Sequence, residues 1–141
     1  VRTADTSVVV AAFASWHEAH RPARQALDDG VSLIGHCALE AYSVLTRLPS
    51  PHKVAGHVVR EFLEARFPGP FLQLAPVAHR NFIRELSEKE LSGGAVYDAL
   101  VAATAADAGA ELVTCDKRAL PVYERYRVQV KVITAKYADN R

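Results

Sequence analysis

The chain is poor in sulfur. It has no methionine at all, and its two cysteines, Cys37 and Cys115, stand far apart without CxxC spacing. That pattern carries no metal-knuckle signal, and free thiols in a reducing compartment are expected. A charge excess is missing as well. The formal net charge is +1, so composition alone announces no nucleic-acid binder, and any basic surface must come from local clustering. Long hydrophobic runs are absent too. The apolar stretch Val8–Ala14 is too short to span a bilayer, and Asp5 precedes it where an export signal carries positive charge. No membrane association is expected, and the cytoplasm is the default location. With no methionine and Val1 first, the sequence fits either an alternative start codon translated literally or a trimmed terminus.

Hydrophobic residues make up 50% and charged ones 23%, which argues for an ordered globular chain and against disorder. At 141 residues, one domain over positions 1–141 is expected. Such a chain buries roughly 70% of its unfolded surface and needs no staples. There is no internal repeat and no low-complexity tract.

Val1–Asp5 reads as a first strand ending in an acid, and Thr6 or Ser7 as the cap of a helix through Val8–Ala14. A helix from about Pro22 to Asp28, closed by Gly30, leads to the strand Val31–Gly35. The next helix, about Cys37 to Leu48, is stopped by Pro49-Ser50-Pro51. His52–Phe67 is amphipathic, with Val54, Val58, Phe62 and Ala65 on one stripe. Phe71–Leu74 is a candidate strand, and Val77–Leu91 a helix with Phe82, Ile83 and Leu86 inward. Glu111–Thr114 reads as a strand, Lys117–Tyr126 as a short helix interrupted at Pro121, and Val128–Ile133 as a last strand. Alternating strands and helices predict an α/β fold, a mostly parallel sheet flanked by helices.

The stretch Ser92–Asp116 is the most telling. Between Gly94 and Gly109 its helix holds two charges, Asp98 and Asp107, and Asp98 shares a face with Ala95, Val101, Ala102 and Ala105. Asp116 follows the next strand. Asp5 ends the first strand, and Glu40 lies about one turn into the helix after the second. Ligands of open α/β sheets bind outside the carboxyl ends of the strands, where parallel topology can gather these four acids. Two carboxylates about 5 Å apart repel by roughly 3 kcal/mol at an effective dielectric near 20, so a gathered set requires a cation. An oxygen-only set suits Mg²⁺ or Mn²⁺ and not zinc. Such a site can activate water for displacement at phosphorus. Taken singly, each acid also has a plain explanation as a helix cap, a dipole partner or a turn residue.

These residues resemble PIN-domain ribonucleases, and among them the VapC toxins of bacterial toxin–antitoxin pairs. The resemblance covers nearly the whole chain. It rests on Asp5-Thr6-Ser7, on Glu40 within LEAYSVLTRLP, on Gly93-Gly94-Ala95-Val96-Tyr97-Asp98-Ala99-Leu100 followed by VAATA, and on Thr114-Cys115-Asp116. It implies a Rossmann-like sandwich, a Mg²⁺- or Mn²⁺-dependent endoribonuclease, a homodimer and a cognate VapB-type antitoxin that blocks the acid pocket. By position, Asp5, Glu40, Asp98 and Asp116 would be the catalytic, metal-binding acids. Ser7 would orient the first acid or a bound water, with Thr114 in support. Some family members carry a further acid soon after the last aspartate. Here Lys117-Arg118-Ala119 stand in that place, which favours one well-bound ion.

Arg47 falls on one helical face with Glu40 and Ser43, so it is a candidate for holding an RNA phosphate, as are Lys117 and Arg118. A solvated arginine at a helix end explains Arg47 equally well. Trp16-His17-Glu18-Ala19-His20 is not HExxH, and its histidines are read as surface residues; Trp16 is read as core or interface in preference to a base-stacking platform. Two alternatives to a nuclease remain: a receiver-like Mg²⁺-binding signalling module, and a catalytically idle PIN scaffold that binds a partner. The first predicts an acid pair after strand one, where this chain has the lone Asp5.

Overall fold

The computed structural model describes residues 1–135; the last six positions of the expected 1–141 domain lie outside the described residues. Four strands, β1 (Arg2–Ala4), β2 (Ser32–Leu33), β3 (Glu111–Thr114) and β4 (Val130–Val132), form one sheet in the order β2-β1-β3-β4. All its pairs are parallel: Ala4 lies opposite both Leu33 and Val113, and Val113 opposite Lys131. An isolated parallel bridge from Ile34 to Leu72 extends the β2 edge. The α/β fold with a parallel sheet is borne out.

Between the strands run seven α-helices among the described residues: α1 (Thr6–Phe13), α2 (His20–Leu27), α3 (Gly35–Thr46), α4 (Gly56–Arg66), α5 (Pro76–Glu88), α6 (Ala95–Asp107) and α7 (Leu120–Tyr123). A 3-10 turn, Lys117–Ala119, precedes α7. The main core is built from small and branched side chains. Val8, Val9, Ala11 and Ala12 of α1 are fully buried, as are Ala102 and Ala105 of α6, so both helices lie close on the sheet. Each fully buried valine contributes about 2 kcal/mol by removal from water. The central strand is buried on both faces: Thr3 and Ala4 are inaccessible, and the Thr3 hydroxyl donates to the Ser32 carbonyl at 2.9 Å. A smaller cluster of Phe82, Leu86 and Ala99 joins α5 to α6.

Several elements differ from the sequence reading. Neither Thr6 nor Ser7 caps α1; Asp5 does, accepting from the Ser7 and Val8 amides. The chain leaves the strand and enters the helix at one residue, because the Asp5 amide still donates to the Val113 carbonyl at 3.0 Å. α3 starts two residues earlier than expected and stops at Thr46, with Arg47 as its C-cap. Phe71–Leu74 is not a strand; only Leu72 bridges. α4 turns Val59 and Leu63 inward, leaving Val58 and Ala65 exposed, and on α5 Ile83 is 71% exposed. Both errors are of helix phase. Where apolar residues adjoin, as at Val58-Val59 and Phe82-Ile83, periodicity leaves two faces nearly equivalent, and tertiary packing chooses.

Candidate active site

The strand order reverses about β1: the chain passes from β1 to β2 on one side and returns to β3 on the other. Loops leaving β1 and β3 therefore diverge and open a crevice at their carboxyl ends. A cavity of about 510 Å³ occupies this place. Asp5, Ser7, Glu40, Asp98, Asp116 and Arg118 all line it. Thr114 lies behind it, fully buried at the end of β3, while Arg47 and Lys117 are exposed and outside the lining.

Asp5 is the most constrained of the acids, at 4% exposure. One carboxylate oxygen accepts from the Ser7 amide at 3.0 Å and the Ser7 hydroxyl at 2.5 Å; the other accepts from the Tyr123 hydroxyl at 2.8 Å. Burial lifts its pKa above the ordinary carboxylate value, although bonds from Ser7, Thr114, Tyr123 and Val8 pull the other way. Burial, and after it the same carboxylate, drives the Tyr123 phenol upward, so Tyr123 stays a donor.

Ser7 and Thr114 tie the two strand ends together. Ser7 Oγ accepts from the Cys115 amide at 2.8 Å, and Thr114 Oγ1 accepts from the Asp116 amide at 2.9 Å. Asp116 caps the 3-10 turn through the Arg118 amide and pairs with the Arg118 guanidinium at 3.2 Å. Across the cavity, Glu40 accepts from Thr6 Oγ1 at 2.5 Å, with His36 Nε2 at 3.9 Å.

Asp98 sits in the first turn of α6, half-buried, and makes no hydrogen bond or ion pair among the described residues. Gly93, at φ +62°, makes the turn before this helix. Burial raises the Asp98 pKa most, followed by the charges of Asp116, Glu40 and Asp5, with Arg118 opposing them. The four acids thus share one electrostatic environment. Even so, no three acid, histidine or cysteine side chains among the described residues meet at a ready-made metal cluster. Like charges without a counter-ion stay apart, each on its own donor, and three of these four carboxylates do so here. The donor chemistry nevertheless fits a hard cation: oxygen ligands only, one of them unpartnered and mutually repelled.

Sequence reasoning missed Tyr123, Thr6 as the Glu40 donor, and the cavity lining by Tyr97, His17 and Glu18. Tyr97 carried a signal, being an exposed aromatic beside Asp98 on the same motif. His17 and His20 are not simple surface residues either. His17 is half-buried at the cavity, and His20 Nδ1 lies 2.8 Å from the Ala11 carbonyl. Both thiols are free, as expected; burial above all raises Cys37 to about 12 and Cys115 to about 11. No helix among the described residues is long and apolar enough to cross a membrane.

A parallel sheet with an acid-lined crevice at its reversal defines a class of protein, and the sequence match agrees: the chain belongs to the PIN-domain family, whose model covers residues 3–125. Its curated relatives include ribonuclease VapC40 of Mycobacterium tuberculosis, strains CDC 1551 / Oshkosh and ATCC 25618 / H37Rv. The identity is 50% over 130 residues, 92% of this chain and 97% of that protein. Ribonuclease VapC27 of strain ATCC 25618 / H37Rv is 41% identical over 134 residues, 91% of this chain and 93% of that one. The resemblance to VapC-type PIN ribonucleases is borne out, and the receiver-like alternative falls away.

Proposed function

We propose that this protein is a Mg²⁺- or Mn²⁺-dependent endoribonuclease, a single PIN domain over positions 1–141 acting in the cytoplasm as the toxin of a VapBC-type pair. One observation carries this reading. Four acids from four separate elements line a single cavity, where burial first and then the charges of the other three raise the Asp98 carboxyl. Asp5, Glu40, Asp98 and Asp116 would hold the ion. When bound, it supplies Lewis acidity at the scissile phosphodiester and offsets the clustered charge.

The protein's own groups divide the remaining work. Ser7, Thr114 and Tyr123 keep Asp5 and the Asp116 loop in register by direct hydrogen bonds. Asp98, whose carboxylate meets no donor among the described residues, would be free to face the ion or an attacking water. Arg118, exposed at the cavity, would hold an RNA phosphate there; its 87% side-chain exposure supports that role. Lys117 and Arg47 would contact RNA only beyond the cavity. The cognate VapB-type antitoxin and the homodimer rest on the family resemblance, the antitoxin inhibiting by covering the acids. Cleavage of RNA by purified protein should require Mg²⁺ or Mn²⁺ and stop in EDTA and in Asp98→Asn. Undiminished cleavage in either case rejects the mechanism.

A further inference from the structure

The turn between α1 and α2 is held unusually firmly for a surface turn. The His17 amide donates to the Ala14 carbonyl, the His20 amide to the His17 carbonyl, and the Ala19 amide to His17 Nδ1, each at 3.0 Å. His20 Nδ1 adds a contact of 2.8 Å to the Ala11 carbonyl. The residue this turn presents is Trp16, 51% exposed, so the fixed turn does not serve to bury its largest side chain. Trp16 instead packs against two imidazoles. Its ring centroid lies 6.1 Å from His17, which lines the acid cavity, and 4.4 Å from the exposed His52 at a tilt of 34°. Trp16 thus sits between His17, which lines the cavity, and His52, which does not, with its ring tilted to both.

Basic residues accompany the rings. The α3–α4 connection that carries His52 begins at Arg47 and continues to Lys53, both exposed. Phosphates approaching an acidic cavity need cations at its rim, and unpaired bases need π-faces. A fixed aromatic cluster flanked by cations, at the edge of a phosphodiester-cleaving site, offers both.

We propose that Trp16, packed at a tilt against His52, is a platform for an unpaired base of the RNA strand near the acid cavity. This rests on the nuclease reading above but makes a separable claim. Trp16 is the chain's one tryptophan, so its intrinsic fluorescence reports the platform directly. A short single-stranded RNA of mixed sequence, titrated into the protein in EDTA, should quench Trp16. The same strand with abasic sites, and a duplex of it, should quench weakly. Trp16→Ala should weaken single-strand binding about tenfold, with most of the affinity kept in Trp16→Phe, whose fold is checked by circular dichroism.

Binding without a fluorescence change, equal response to abasic RNA, or unchanged affinity in Trp16→Ala each overturns the platform. So does a shift of the Trp16→Ala oligomeric state in sedimentation velocity with RNA affinity intact, since Trp16 would then belong to an interface between copies. The two readings fail separately. Cleavage in Mg²⁺ with a silent tryptophan leaves the nuclease standing. Base-dependent quenching without cleavage in Mg²⁺ or Mn²⁺ keeps the platform and removes the nuclease. No binding in EDTA together with no cleavage in Mg²⁺ or Mn²⁺ overturns both.

Discussion

The β1–α1 corner and the start of α6 each bring an aspartate to the cavity, under opposite conditions. Asp5 is buried and saturated: its near neighbours Ser7 and Val8 and the distant Tyr123, 118 positions away, supply its oxygens with donors. Asp98 is half-exposed, and among the described residues nothing donates to it. Both pKa values are raised, chiefly by burial, but the opposing influences differ. Hydrogen bonds restrain the rise at Asp5, whereas at Asp98 three like charges add to it and only Arg118 resists. The first acid is therefore part of the architecture, and the second is a charge that the architecture leaves to be neutralised from outside.

Activity gives the largest test of this contrast, and it should not separate the two acids. Asp5→Ala and Asp98→Ala should each reduce RNA cleavage by about a hundredfold or more, as loss of a metal-site partner does, measured with a fluorescent RNA substrate in saturating Mg²⁺. Thermal or urea unfolding of the metal-free protein should separate them. Asp5→Ala removes a helix cap and strands the Tyr123 hydroxyl, at about 2–3 kcal/mol. Asp98→Ala breaks no hydrogen bond and should be neutral or stabilising. Equal destabilisation by both variants defeats the comparison.

Tyr123→Phe is a finer probe, deleting one buried hydrogen bond to a carboxylate for about 1–2 kcal/mol. It should lower stability and activity while leaving Asp98→Ala without further effect on Tm.

A smaller effect concerns pH. A carboxyl whose pKa is raised on folding holds its proton more tightly in the folded state than in the unfolded one. Its destabilisation is absent below the unfolded value of 3.8 and develops as pH rises from there through the folded value. Metal-free wild-type protein should therefore lose more stability than Asp98→Asn as pH rises above 4, and Mg²⁺ should narrow that gap. A gap that is independent of pH contradicts the electrostatic account.

Smallest is the thiol contrast. With Cys37 held near 12 and Cys115 near 11, the native protein should alkylate slowly at pH 8, at Cys115 first, as read by mass spectrometry.

The acids were legible because their chemistry conflicts with their surroundings. An aspartate among alanines and valines on α6, and acids placed at strand–helix junctions, stand out against the hydrophobic pattern. β3 was read with its observed bounds, since Gly109 and Asp116 bracket a short apolar run. The faces of α4 and α5 were misread at Val58 and Ile83, because adjoining apolar residues satisfy two helical phases equally well. Tyr123 was invisible for another reason. Its hydroxyl meets an acid 118 positions away, and its local sequence, LPVY, reads as ordinary core.

By itself, then, the sequence determined which elements alternate, that the sheet is parallel, and which four carboxylates stand at its strand ends, because periodicity, turn residues and misplaced charges are local properties. Only the tertiary structure decided that Asp5 caps its own helix while holding Tyr123, that Asp98 meets no donor among the described residues, and that Trp16 packs between His17 and His52. Those outcomes depend on which side chains arrive from distant parts of the chain to meet each group. No local pattern encodes that before the sheet has closed its crevice between β1 and β3.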